Sequence, residues 1–459
     1  MTRHTRCDDS AVTEHPEPAE ETAKQTARGT AEDEVVAICR DLLRIDTTNP
    51  GDHSGPGERA AAEYVAGLLS EVGLEPLVFE SHPKRTSLVA RIEGEDQSRQ
   101  ALLIHGHLDV VPARAEDWQR DPFGGEIADG CLWGRGAIDM KDMDAIMLAV
   151  TRQRLREGRR PKRDVVLAFT ADEEAGGTWG AGFLTKEHPE LFEGVSEAIG
   201  EVGGFSVCVG DKRMYPVQTA EKGLAWMRLS ATGTAGHGSM IHSDNAVTAL
   251  AEAVARIGRH EWPVRLPEST QAFLEAAGAA LGVEVDLEDP GTVIGKLGPM
   301  GRMIGATVRN TANPTRLTAG YKTNVIPQSA MAEIDGRFLP GYEEEFFAEI
   351  DRLLGGAVRR EFIHHDIAVE TTADGALYAA MSAALLAEDP QAAVVPYCLS
   401  AGTDAKWFSR MGIRCFGFSP LQLPPNIDFS GMFHGIDERV PTEALRFGVR
   451  VLDHFLEIC

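Results

Sequence analysis

The chain has 459 residues, 43% of them hydrophobic, and carries a formal charge of −25 with a pI near 5.0. That length accommodates two domains, each burying its own core, and the ordinary apolar fraction excludes a fibrous or membrane-embedded protein. The acidic balance offers phosphates no basic field, so nucleic acid is excluded as a general partner; in itself it reads as a solvated acidic surface.

Residues 1–30 are rich in Glu, Thr, Ala and charge, without an apolar stretch that would make a signal peptide or a span. They are expected to form a disordered tail on a cytoplasmic protein. Helical spacing follows over 32–44 (Val35, Ile38, Leu42) and 57–72 (Ala61, Val65, Leu68), separated by the loop signal Asn49-Pro50-Gly51. Short β-like runs at 87–92, 101–104, 165–170, 198–199 and 413–418 alternate with helix-like stretches such as 139–157 and 404–411. This alternation predicts an α/β fold whose catalytic domain has a mostly parallel sheet between helices. From about Glu221 the texture changes: 224–231 alternates, Gly233–Gly238 is a loop, 246–257 is helical, and strand-like runs recur at 330–338 and 367–372. Residues 221–373 are therefore expected to be an inserted α+β lid or dimerisation domain, with 31–220 and 374–459 forming the two parts of the catalytic domain.

Seven cysteines are scattered without C-x-x-C spacing, and an odd number of them argues against a disulfide framework or a zinc knuckle. There is no G-x-S-x-G elbow, no P-loop, and no G-x-G-x-x-G spacing within Gly233–Gly238, so serine catalysis and nucleotide binding are not indicated.

What does recur is an ionisable motif just beyond an apolar run: His107-Leu108-Asp109, the Gly134-Arg135-Gly136 loop ending in Asp139, Asp172-Glu173-Glu174, Gly200-Glu201 and, far downstream, His434. Each has a plain alternative when taken singly. Alternation lets His107 and Asp109 point to one side, so that His107 binds metal and Asp109 holds its other ring nitrogen, but a hydrogen-bonded loop histidine has the same sequence. Asp139 also suits a helix N-cap. Glu173 and Glu174 also suit a solvated turn, although neighbouring carboxylates repel unless a cation or a proton intervenes. Glu201 lies against an apolar strand end, where a charge needs a partner. Motifs closing successive β-α units are hard to explain as independent caps and turns. Open α/β sheets gather such residues beyond the carboxyl ends of their strands, and imidazoles with several carboxylates are the inventory of a two-metal hydrolase.

The set resembles the M20 family of metallopeptidases, which includes aminoacylase-1, carboxypeptidase G2, succinyl-diaminopimelate desuccinylase and carnosine-type dipeptidases. The likeness runs from about Ala31 to Cys459 and rests on the motifs above together with Gly236-His237-Gly238-Ser239 and Thr323-Asn324-Val325-Ile326-Pro327. It implies two divalent metal ions, zinc first and cobalt or manganese also compatible with such ligands. Asp139 would bridge them, with His107 and Glu201 on one ion and Glu174 and His434 on the other. Glu173 would be the general base and Asp109 would stand behind His107. The peptide bond after Asp139 is a candidate for the cis form. By the same resemblance His237 reaches the catalytic centre of a partner subunit, which makes the protein a homodimer whose lid closes over substrate; a flexible loop is the alternative for that segment.

Asn324 and Arg337 resemble residues that hold a substrate carboxylate, although Arg337 could instead pair with Glu333 or Asp335. Gly402 and Thr403 resemble a Gly-Gly-Thr substrate loop in which Ala401 replaces the first glycine. The implied activity is cleavage of an amide bond in N-acyl-L-amino acids or short peptides bearing a free carboxylate, by metal-activated water. The rivals are a non-catalytic binding protein on the same fold, which predicts a missing ligand or base, and a two-metal phosphoesterase, which predicts basic clamps near the motifs.

Overall fold

Residues 29–425 and 427–459 are described by the computed structural model. The expected tail, with Cys7, lies outside the described residues except for its last two positions.

The centre of the molecule is a ten-stranded sheet. Its inner strand Ala101–His107 runs parallel to Val165–Thr170 on one side and to Val195–Gly200 on the other, and Arg414–Gly417 continues parallel beyond Val195–Gly200. The flanks are antiparallel on one side, through Arg85–Ile92 and Leu77–His82, and mixed on the other, around Lys212–Glu221. The expected parallel sheet is thus its centre. These strands are apolar throughout because both faces are covered: Leu102 and Ile104 enter one core while Leu103 enters another. Burying each such side chain contributes about 1.5–3 kcal/mol.

On the larger face pack the helices Ala31–Leu43, Lys141–Arg156 and Thr442–Ile458, and on the smaller face Ala181–Glu187 and Ala405–Ser409. Helix Ala31–Leu43 starts at a capping box between Thr30 and Asp33, which satisfies backbone donors otherwise left open. Helix Lys141–Arg156 is buried on nearly all sides although its sequence is polar. Its Lys141 Nζ donates to the carbonyls of Leu42 at 3.0 Å and Ile45 at 2.9 Å, so a buried ammonium meets the open C-terminal acceptors of the first helix.

A second, four-stranded antiparallel sheet is formed by Thr311–Ala319, Ser329–Phe338, Gly223–Thr232 and Val358–Asp366 in that order. Helices Ala246–Arg259 and Glu343–Leu354 cover one face, around Met227, Leu250, Ile334 and Phe346. The other face leaves Trp226, Met331 and Phe362 exposed.

Two features differ from the sequence expectation. The strand-like run 367–372 is a strand only at Val369–Glu370, and it pairs with Ala220 and Glu221 in the large sheet, not in the small one. The small sheet's fourth strand is Val358–Asp366, whose Arg359, Arg360, Glu361, His364 and His365 conceal the pattern because most of the strand faces outward. The segment between the two regular parts of the insert also turns back. Helix Glu268–Leu281 and the short helices after it place Phe273, Leu274, Val293 and Met300 in the large sheet's core.

Candidate metal centre

The parallel strands deliver the polar motifs to one end of the sheet. His107 closes the strand Ala101–His107, Glu173 and Glu174 lie just beyond Thr170, and Glu201 directly follows Gly200. Gly200 lies so close to the buried His105 ring that a Cβ there would come within 2.4 Å of it, so the strand end needs glycine. Val202, just after Glu201, has φ +55°, a costly conformation for a β-branched residue, and its carbonyl accepts from the Tyr397 hydroxyl at 2.8 Å.

Asp139 arrives on the loop before helix Lys141–Arg156, and the Asp139–Met140 bond is cis. Glu438, fully buried, accepts from the Ile138 amide at 2.8 Å and pairs with Arg135, tying this loop to the segment that carries His434.

There His107 Nε2 stands 3.1 Å from Asp139 Oδ1, 3.6 Å from Glu201 and 4.0 Å from Glu173. On the opposite side His434 Nε2 stands 3.2 Å from Asp139 Oδ2 and 3.1 Å from Glu174. Asp139 therefore turns one oxygen to each imidazole, which is the placement of a bridging carboxylate. His107, Asp139 and Glu174 form one group of potential ligand atoms lying within 4.8 Å of one another, and His107, Glu173 and Glu201 form another.

Without a cation this arrangement is electrostatically unfavourable. Burial and the neighbouring Glu201 push Glu173 well up, while burial and Asp139 push Glu174 up to about 7. Burial opposes a charge on His107, yet Glu201 and Asp139 outweigh it and raise its pKa; hydrogen bonds with Asp139 and Glu174 lift His434 to about 11. Burial would raise Asp139, but the two imidazoles outweigh it and hold its carboxyl below the usual range. Four crowded carboxylates thus draw positive charge onto their imidazoles, and a pair of divalent cations satisfies the same demand with this donor set.

Asp109 behaves differently from expectation. His107 Nδ1 lies 2.9 Å from the backbone carbonyl of Asp109 and 3.8 Å from its carboxylate. A proton on Nδ1 shared with that carbonyl leaves Nε2 as the nitrogen that donates to Asp139 when protonated and would offer its lone pair to a cation when not. The Asp109 carboxylate instead accepts the backbone amides of Glu173 at 3.0 Å and Glu174 at 3.2 Å, and the Asn49 amide at 2.8 Å. Behind it, Arg85 donates to Asn49 Oδ1 at 2.7 Å, pairs with Glu58, and lies 3.7 Å from Asp172. Sequence reasoning passed over Asn49, Glu58, Arg85 and Glu438. The loop signal at Asn49-Pro50 was the only cue to any of them, and it spoke for a turn.

A cavity of about 280 Å³ opens over the cluster, lined by Asp139, Glu173, Glu174, Glu201 and His434 together with Gly402, Thr403, Met303 and Phe433. Gly402 and Thr403 of the expected substrate loop are therefore at the site, and Thr403 is fixed by its hydroxyl donating to Glu221 at 2.9 Å. Asn324, Arg337 and His237 do not line this cavity. A two-residue ribbon pairs Gly236–His237 with Val325–Ile326 and brings His237 near Asn324; both are exposed, and His237 Nδ1 meets Ser239 Oγ at 2.8 Å. Arg337 pairs with Asp335 at 2.8 Å.

The model of "Peptidase family M20/M25/M40" matches residues 103–458. The chain belongs to that family. Among curated relatives, mouse N-fatty-acyl-amino acid synthase/hydrolase PM20D1 is 28% identical over 93% of this chain and 88% of its own length. Pig aminoacylase-1 is 27% identical over 92% and 94%. Among solved structures, the M20 metallo-carboxypeptidase Sso-CP2 from Sulfolobus solfataricus shares the fold with a TM-score of 0.70 at 18% identity, covering 93% of this chain and 99% of that one. The YXEP protein of Bacillus subtilis, described as a dinuclear metal-binding M20 peptidase, aligns with a TM-score of 0.60 at 14% identity over 93% and 97%. This M20 chain is accordingly a hydrolase of amide or peptide C–N bonds, on a largely parallel sheet with a second sheet inserted. No helix among the described residues is long and apolar enough to cross a membrane.

Proposed function

We propose that this M20 protein releases an L-amino acid from an N-acyl-L-amino acid or short peptide at a two-metal centre. The observation that carries the proposal is Asp139 facing His107 with one oxygen and His434 with the other, amid three more carboxylates. His107 and Glu201 would hold one ion, Glu174 and His434 the other, with Asp139 between; zinc suits mixed imidazole and carboxylate donors, and cobalt or manganese would also fit. Bound there, the cations supply the polarising charge that makes an amide carbonyl susceptible and a water acidic.

Glu173 is the proton carrier. Glu174 has both oxygens committed, Oε2 toward His434 and Oε1 accepting from the Val111 amide at 3.2 Å, whereas Glu173 comes no nearer to an imidazole than 4.0 Å. A carboxylate left free of the imidazoles suits a group that takes a proton from water and returns it to the leaving amine. Asp109 sets the turn bearing both glutamates through their amides, and Gly402 and Thr403 bound the substrate. His237, Asn324 and Arg337 would join as oxyanion donor and carboxylate holders when the insert (221–373) closes, or from a second copy in a homodimer, over the catalytic parts 31–220 and 374–459. A cytoplasmic setting and a substrate with a free carboxylate complete the proposal. Among the described residues no Lys or Arg lines the cavity, which disfavours a phosphoester.

The experiment is turnover of N-acetyl-methionine, acetylornithine, succinyl-diaminopimelate and a dipeptide panel by metal-reconstituted protein, with and without chelator. Chelator-sensitive release of a free amino acid is expected; no turnover of any of these would sink the proposal.

A further inference from the structure

The chain leaves the four-stranded sheet through the strand Val358–Asp366 and re-enters the large sheet at Val369–Glu370. The exit strand ends on Asp366, which is 3% exposed and stands opposite Leu224 on the neighbouring strand. Three side chains converge on its carboxylate: Arg410 donates to Oδ1 at 2.8 Å, His364 Nε2 lies 2.6 Å from Oδ2, and Lys406 Nζ lies 3.8 Å from the same oxygen. Burial would raise Asp366, but His364, Lys406 and Arg410 outweigh it and hold its carboxyl below the usual range, so this buried group is an anion in the fold.

The two cations come from one short helix on the catalytic side. Helix Ala405–Ser409 begins just after Thr403 of the cavity wall and closes at Arg410. Its first end is pinned from the large sheet, because Thr403 donates to Glu221 and Asp404 Oδ2 accepts the Thr170 hydroxyl at 2.7 Å. At its other end the Arg410 guanidinium lies 4.5 Å over the Trp407 ring, and Trp407 Nε1 donates to the Gly176 carbonyl at 3.1 Å. Gly176 closes the turn Glu173–Ala175, its amide donating to the Glu173 carbonyl at 2.8 Å. His364 reaches the same place from the insert: a Cβ on Gly176 would lie 3.5 Å from its ring. One carboxylate thus fastens both the indole and the imidazole that flank Gly176.

We infer that Asp366 is a positioning residue for Glu173, acting through His364 and through the stacked Arg410 and Trp407 on the turn that Gly176 closes. The inference rests on the reading of Glu173 as the proton carrier. A group that must meet both a water and a leaving amine tolerates little displacement, since a shift of about 1 Å can cost about a hundredfold in rate. Asp109 holds the amides of Glu173 and Glu174 from the other side of the turn, so loss of Asp366 frees only the Gly176 end and leaves the metal ligands where they are.

Asp366→Asn keeps the shape and removes the charge. With N-acetyl-L-methionine as substrate, kcat is expected to fall about ten- to a hundredfold, with KM and metal content equal to the parent's. Trp407→Phe, which removes the donor to Gly176, is expected to act in the same way, and the double variant is expected to be no slower than the slower single one because both changes act on one turn. A kcat equal to the parent's in Asp366→Asn, or a double variant slowed by the product of the two single effects, overturns the inference. Should Asp366→Asn not fold, Arg410→Met at the more exposed partner is expected to lower kcat likewise, and an unchanged kcat there overturns the inference too. Hydrogen exchange reads the turn without substrate: a peptide spanning 172–180 is expected to take up deuterium faster in the variant while helix Ala31–Leu43 exchanges as in the parent. Unchanged uptake at 172–180 overturns the inference whatever the activity. Absence of turnover in the parent counts against the amidohydrolase reading itself, and the exchange result then decides whether Asp366 holds the turn.

Discussion

At the carboxyl ends of the large sheet's parallel strands, His107, Asp109 and Glu201 are buried; His107 and Asp109 are each held by neighbours drawn from two other segments, and Glu201 faces His107. In the inserted four-stranded sheet and its ribbon, His237 and Asn324 are exposed and Arg337 is committed to Asp335. One region has its groups gathered at one cavity; the other holds groups that, on the proposed function, would have to travel or meet a second copy to reach it. A preorganised floor concentrates charge where the reaction needs it, at the cost of burying repelling carboxylates, whereas a wall that closed only over substrate, as proposed, would leave the cavity open for exchange.

The sharpest way to break this contrast is inside the floor. Glu173→Gln is expected to lower kcat by about 10²–10⁴ while elemental analysis finds metal content unchanged. Glu174→Gln is expected to lose metal as well as turnover. Equal metal loss in both would remove the distinction between carrier and ligand.

Next in size is the scaffold beneath. Arg85 is 2% exposed and Glu58 0%, so Arg85→Met leaves a buried carboxylate unpaired. Breaking such a pair costs about 3–5 kcal/mol, to be read from urea unfolding. The double change Arg85→Met with Glu58→Gln is expected to recover part of it. A loss below about 1 kcal/mol would place the pair with ordinary surface bridges and deny it a role in holding Asn49 and Asp109.

These two cases also mark what was legible in the sequence. The strand Val165–Thr170 and the residues that follow it were readable because an apolar run with both faces buried ends abruptly in charge. The same rule placed His107 and Glu201 at one end of the sheet, whereas Gly402 and Thr403 were reached only through the family resemblance. Arg85 was not readable: it begins the strand Arg85–Ile92, and only the fold shows that its partners Asn49 and Glu58 come from the segment leading into helix Arg59–Ser70. The Asp109 carboxylate was assigned to the wrong neighbour for a similar reason. Spacing of two along a strand puts it on the side of His107, but cannot reveal that the turn at Glu173 and Glu174 presents two amides to it. Met303 gave no signal because its helix is six residues long and lies in a stretch without clear periodicity.

In the inserted region, His237→Ala is expected to lower kcat by about 10²–10³, the usual effect of removing one oxyanion donor. Mixing that variant with Glu173→Gln then decides where the imidazole acts. If His237 serves a partner's site, random pairing of two inactive chains in a dimer restores roughly a quarter of the activity. If it serves its own chain, the mixture stays inactive, and closure within one protomer must bring the ribbon to the cavity.

The smallest effect lies at the join of the two regions. Glu221 ends the strand Lys212–Glu221, immediately before the chain enters the four-stranded sheet, and supports Thr403 in the cavity wall. Burial pushes its carboxyl up to about 8, with hydrogen bonds from Thr403 and Gln218 pulling only partly the other way. A folded-state value above the unfolded value of about 4.3 means that the native state keeps a proton the unfolded chain releases. Its contribution is therefore complete below that unfolded value and is lost as pH rises through about 8, with a slope of about 1.4 kcal/mol per pH unit. Glu221→Gln keeps the neutral shape and removes the titration, so its unfolding free energy should vary less steeply than the parent's between those limits. Parallel pH profiles would mean that Glu221 is ionised in the fold, its charge balanced by the nearby buried ammonium of Lys406.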